Sequence, residues 1–170
     1  MTTTNTDNVI NMHQLPTSLN GTMNQEDLDS VFARLSPPKI DELSEAYQGR
    51  LYAVEGVRRL PRLLRGPLHA IVNSPVSPWK GKFINGRQGG NMLLNRHGKR
   101  QLGFYRVTRG KAYDDGRPVI ELDYDVPENP PSLWPIRGEL RALGEQYYLA
   151  RMLYRTRTGY FTVLYFSLEK

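Results

Sequence analysis

The sequence predicts a mainly β protein with N-terminal helices, in which the chain from about Trp79 onward forms an antiparallel barrel. Three observations lead there. Beyond residue 78, short runs of aromatic and β-branched residues alternate with turn signals at near-regular spacing. The last two runs are apolar on both faces, so one face lines an interior and the other must be covered. Before residue 79, apolar residues recur at helical spacing, which supplies the cover.

Composition bounds the class. The chain has 170 residues, 39% of them hydrophobic and 24% charged, enough for one domain with a core. Residues 1–23 are rich in Thr and Asn and read as a disordered tail. Residues 24–170 read as a single domain, with 24–78 a helical cap and 79–170 the barrel. The chain has no cysteine, which excludes disulfides, thiolate metal sites and a cysteine nucleophile. Residues 1–23 lack the apolar core of a secretory leader, and no apolar stretch is long enough to span a bilayer. A cytoplasmic location is the expectation. The net charge of +6 favours an anionic partner, although a solvated basic face is the plainer reading.

In the first helix, Asn24 is the N-cap, and Glu26 and Asp27 suit the positive end of the helix dipole. Leu28, Val31, Phe32 and Leu35 share its buried face, and Ser36-Pro37-Pro38 stops it. A second helix is expected from Ser36, with Ile40, Leu43 and Tyr47 on one face and Gly49 at its end, followed by a short strand over 51–54. The stretch 57–73 places Leu60, Leu63, Leu64, Leu68 and Ile71 on an apolar stripe opposite Arg58, Arg59, Arg62 and Arg65. It reads as a basic helix plugging one end of the barrel, with Gly66-Pro67 breaking or restarting it.

The strand runs follow. Residues 79–84 close on Asn85-Gly86, a strong hairpin dipeptide. Further runs cover 90–95, 102–109, 110–113, 118–125, 133–143, 147–154 and 160–168. That makes seven or eight strands, as in a sandwich or barrel. In the run around 136–141, Arg137, Glu139 and Arg141 share one face; in the preceding run Glu121, Asp123 and Asp125 do the same. Paired side by side, these are cross-strand ion pairs. Turned inward, the arginines become forked donors for a carboxylate or phosphate. Tyr124 or Tyr148 can donate to a ligand carbonyl, though packing is the commoner use of a tyrosine, and Trp79 closes the barrel or stacks on a ligand. Gly86 to Gly90 is glycine-rich but follows a hairpin turn, so a bulge is favoured over a phosphate loop.

The motifs W79-K-G-K-F83, D115-G116, I120-E-L-D-Y124, I136-R-G-E-L-R141, Y147-Y-L149 and F166-S-L168 resemble, in order and spacing, those of an uncharacterised bacterial lipocalin-like (calycin-like) family. That family's pattern runs W-x-G-K-x-F, DG, LDY, IRDE-[IL]-R, YLG, FAL. The likeness spans about the last 90 residues. It departs at Gly138, where the pattern has Asp, and at Ala150, where it has Gly. The resemblance implies an antiparallel lipocalin-like β-barrel and carries no activity with it.

The functional expectation is a binding module for a small apolar or amphipathic metabolite, anionic in one form. Trp79, Tyr124, Arg137, Glu139, Arg141 and Tyr148 are the candidate ligand-binding residues, with Arg137 or Arg141 taking the anionic end. A metal-independent enzyme of cyclase, isomerase or hydrolase type, using acids such as Glu121, Asp123 or Glu139, is the alternative on fold analogy. Binding of nucleic acid or an anionic membrane through Arg58–Arg65 is the third, with nucleic acid disfavoured. No metal or cofactor is expected: His13, His69 and His97 lack ligand spacing, and no nucleotide-binding or serine-hydrolase motif is present.

Overall fold

The computed structural model describes residues 23–72, 77–95 and 98–170. The expected tail over 1–23, with His13, lies outside the described residues except for Met23, which packs partly buried beside α1, and the turn at His97 lies outside them too. Eight strands run up and down in chain order: β1 (Ser44–Tyr52), β2 (Trp79–Asn85), β3 (Gln88–Asn95), β4 (Gly98–Lys111), β5 (Pro118–Asp123), β6 (Ile136–Gly144), β7 (Tyr147–Thr156) and β8 (Gly159–Glu169). All neighbours are antiparallel, and β1 pairs with both β2 and β8, closing the barrel.

The second expected helix is therefore a strand, and the barrel begins at residue 44 rather than 79. Only a 3-10 turn over Ile40–Glu42 is helical there. Leu43 and Tyr47 are buried under either reading, because residues four apart share a face at a period of 3.6 and at a period of 2 alike. Gly49 does not end a helix. A Cβ on it would lie 2.2 Å from the Trp79 ring, so its bareness lets the indole pass over β1.

The first helix forms as expected. Helix α1 (Gln25–Arg34) carries a capping box, in which Asn24 and Asp27 each bond the other's backbone N–H. It lies on the outer wall, where Leu28, Phe32 and Leu35 pack with Val119, Leu149 and Tyr165. Phe32 meets Tyr165 edge-on at 6.1 Å. Helix α2 (Arg62–Val72) runs through Gly66-Pro67 without a break, correcting the expected interruption. Its Leu64, Leu68 and Ile71 pack against the barrel core. Among the described residues no helix is long and apolar enough to cross a membrane.

Among the described residues the ladders shift register at four places, and two of these bear most directly on which side chains face inward at the cavity. Between Trp79 and Gly81 the β2–β3 register slips by one. Between Met152 and Leu153 the β7–β8 register slips likewise, leaving Val163 as the extra residue. Each slip reverses the inside–outside phase beyond it. That is why Phe161, Leu164, Phe166 and Leu168 all join the interior cluster despite their mixed parity.

Gly81 sits at the first bulge with φ +134°, and a Cβ there would stand 1.9 Å from the Tyr47 carbonyl oxygen. Both the dihedral and the space exclude a side chain. Gly81→Ala is expected to cost about 2–3 kcal/mol of stability. Urea unfolding of the variant, at unchanged slope, checks this; an unchanged midpoint would show that the bulge is not held as described.

Candidate functional site

A cavity of about 360 Å³ occupies the barrel beneath α2. Its lining is dominated by apolar groups from both the strands and the helix, among them Leu51, Leu64, Leu68, Ile71, Met152 and Leu164. Three polar side chains break this pattern: Lys82 on β2, Asn91 on β3, and Tyr124 just after β5.

The three are bonded to one another. Lys82 Nζ donates to Asn91 Oδ1 at 2.7 Å and to the Tyr124 hydroxyl at 2.6 Å. The Asn91 amide donates to the Tyr124 hydroxyl at 3.2 Å and to the Gly103 carbonyl at 3.2 Å. Trp79 Nε1 completes the set by donating to Asn91 Oδ1 at 3.2 Å. Asn91 is thereby saturated, with two donations and two acceptances. Tyr124 accepts twice, but among the described residues its own O–H has no acceptor, and Lys82 uses two of the three donors of an ammonium. Two donors therefore remain for a group within the cavity.

Lys82 is 3% exposed and has no carboxylate partner among the described residues. Aromatic faces surround it instead: the Tyr105, Tyr124 and Phe166 rings lie 4.8, 5.3 and 5.1 Å from Nζ. Burial without a counter-ion disfavours the charged form and lowers its pKa from 10.5 to about 7. Burial likewise pushes the Tyr124 hydroxyl well above the usual phenol range, so it stays a donor. The loop that carries Tyr124 is pinned by Asn129, whose amide donates to the Tyr124 and Phe104 carbonyls at 2.8 and 2.6 Å.

Of the residues expected from the sequence, Trp79 and Tyr124 line this cavity. The others do not. Tyr148 is an interior residue away from the cavity lining, packed edge-on against Tyr47 at 5.5 Å. Arg137, Glu139 and Arg141 point outward, because Ile136, Gly138 and Leu140 take the inward positions of β6. They are nevertheless not surface pairs. Glu139 and Arg141 are 0% exposed, covered by α1 and the turn after β4. Glu139 accepts two hydrogen bonds from Arg151, at 2.9 and 2.7 Å, and one from the Tyr113 N–H at 3.0 Å. Arg151 also grips Asp114 through two bonds of 2.7 and 2.6 Å, and Arg141 grips Asp115 through two of 3.0 and 2.9 Å. Both guanidiniums lie against the Phe32 ring, 4.6 and 4.5 Å from its centroid. This network fastens α1 and the 112–117 turn to the wall. It has no opening to the cavity, so the anionic end of a ligand cannot be taken by Arg137 or Arg141.

Lys82 and Asn91 were not legible as site residues. Strict alternation from Trp79 sets Lys82 on the opposite face, and the bulge between Trp79 and Gly81 brings it inside. The available signal was Gly81 itself, a glycine within an otherwise regular strand.

No family model and no curated protein matches the chain. A solved structure, the crystal structure of a protein from Thermomonospora curvata, is similar to it with a TM-score of 0.61 over 87% of this chain and 88% of that one, at 18% identity. The likeness concerns the fold: this chain is a closed antiparallel β-barrel of eight strands, with helix α1 before β1 and helix α2 between β1 and β2.

Proposed function

We propose that the barrel binds a small amphipathic metabolite, its apolar body under α2 and an anionic head group, most simply a carboxylate, against Lys82 and Tyr124. The observation that carries this is the pair of unused donors, one of them on an uncompensated buried cation, at the polar pole of an otherwise apolar cavity. A carboxylate supplies two acceptors and the missing charge together. The cavity volume lies near the small end of the range of ligand sites, roughly 300–1,000 Å³. Gly138 lines the cavity, so the position where the resembled pattern carries an acid adds space here and no competing charge.

Trp79 lines the cavity and reports occupancy, whereas Trp134 lies away from it. Titrating Trp emission with decanoic acid and with methyl decanoate tests the reading. A charge-assisted hydrogen bond contributes about 1.5–3 kcal/mol, so the acid is expected to bind roughly ten- to a hundredfold more tightly than the ester at pH 6. That preference should shrink as pH rises through 7, disappear in Lys82→Met, and fall about fivefold in Tyr124→Phe. Equal affinity for acid and ester in the unaltered protein would refute it.

A second reading attaches to the mouth. Leu63 on α2 is 72% exposed, and Arg62 beside it in the chain and Arg58 and Arg59 in the turn before α2 are exposed as well. Such a face suits shallow contact with an anionic bilayer from which an apolar ligand could enter. Salt-sensitive sedimentation with phosphatidylserine vesicles, weakened in Leu63→Ser, is the expected result; sedimentation unaffected by that change would remove the role given to this face.

A further inference from the structure

We propose that Lys82 is also an imine-forming lysine, which captures the carbonyl carbon of an aliphatic aldehyde held in the cavity. This rests on the reading of the cavity as a ligand site and deepens it from binding to covalent capture.

Three features of the site supply what the reaction needs. A nucleophilic amine must be neutral, and among the described residues no carboxylate faces Nζ to offset the burial of its charge. Among the described residues the cavity lining contains no Asp, Glu, Arg or His, and the titratable groups facing Nζ are the phenols of Tyr105 and Tyr124, both held protonated by burial. The lowered pKa of Lys82 is in keeping with this. The amine must also keep its lone pair free. A neutral Nζ keeps its bond to Asn91, and the lone pair is freed for attack when the Tyr124 O–H beside it turns to the incoming carbonyl oxygen. Finally, the carbonyl oxygen needs a donor close to the nitrogen. The Tyr124 O–H, with no other acceptor among the described residues, stands 2.6 Å from Nζ.

The step balances without an oxidant or reductant. The Nζ lone pair forms a bond to the carbonyl carbon, and the C=O π pair moves onto oxygen, which takes a proton. The nitrogen loses a proton, and the Tyr124 hydroxyl relays it to that oxygen. The carbinolamine then expels its hydroxyl as water, taking up the second proton from nitrogen, and the C=N bond forms. One aldehyde and one amine give one imine and one water. With no carboxylate nearby, the imine remains neutral, so the apolar lining holds no new charge.

The experiment equilibrates decanal with the full-length protein and then traps the imine with borohydride, which reduces a neutral C=N, with intact mass and peptide mapping as the readout. The expected product is a single reduced decyl adduct on Lys82, in preference to Lys39, Lys80, Lys99, Lys111 and Lys170. Its yield should rise with pH to a half-point near 7 and should be absent in Lys82→Met. Decanal that competes with decanoic acid and alters Trp79 emission, yet gives no adduct on Lys82, overturns the covalent step and leaves the binding reading standing. Adducts spread evenly over the lysines, or a yield rising only towards pH 10, overturn it too. If neither decanal nor decanoic acid alters Trp79 emission, both readings fall together.

Discussion

Arg151→Met is expected to lower the unfolding free energy by about 3–5 kcal/mol, the cost of stranding one member of a buried ion network. Arg151 is 1% exposed and bridges Glu139, which is fully buried, to Asp114. Without it Glu139 keeps only Arg137 at 3.0 Å and the Tyr113 N–H. Phe32 loses one of its two guanidinium neighbours, so α1 should loosen along with the wall. Adding Glu139→Gln removes the stranded carboxylate, and the double variant should recover part of the loss. Urea unfolding followed by far- and near-UV circular dichroism decides the matter. A loss under about 1 kcal/mol, the range of surface pairs, would mean that water reaches the network. Acid should weaken it as well. Hydrogen bonds from Arg151 and Arg141 hold the Asp114 and Asp115 carboxyls below their usual range, so their contribution is present at neutral pH and fades as pH falls through those lowered values.

Lys82→Met should move stability the opposite way. A folded-state pKa of about 7 against 10.5 in the unfolded chain corresponds to a cost on the order of 5 kcal/mol, carried in full below pH 7. Between 7 and 10.5 the unfolded chain binds the extra proton, so stability rises with pH across that window. The unaltered protein is expected to gain about 2–3 kcal/mol between pH 7 and 9. The methionine variant, close in shape and uncharged, should be more stable at pH 7 by a few kcal/mol and should lose this slope. Readings above pH 10 are best avoided, because Tyr105 and Tyr124 resist ionisation in the fold and turn the trend downward there. A variant less stable than its parent at pH 7, with the slope intact, would show that Lys82 is charged and well compensated.

The contrast between these two substitutions explains what the sequence could and could not reveal. Strand grammar beyond residue 78 was readable because turn dipeptides and alternating runs are local. Helix α1 was readable from its cap and apolar spacing for the same reason. Strand β1 was not, since its pairing with β2 and β8 is non-local and its apolar spacing fits a helix equally well. The outward face of Arg137, Glu139 and Arg141 follows from β6 parity, but their burial depends on α1 crossing that patch, which no local pattern records. Trp79 and Tyr124 were legible as interior residues because large aromatic residues in a barrel tend to face the interior. Lys82 was missed because a single-residue bulge reversed its side, and a lysine is the residue least expected inside.

The most direct measurement is a pH titration of the Lys82 side chain by NMR in protein carrying 13Cε-labelled lysine, with Lys82→Met to assign the signal. Free protein should show the Lys82 signal titrating near pH 7, and saturating decanoic acid should raise that midpoint by a unit or more as the carboxylate supplies the missing counter-charge. A Lys82 midpoint above 10 in the free protein, or one that decanoic acid leaves in place, would contradict the assignment of this lysine as the receptor of the head group.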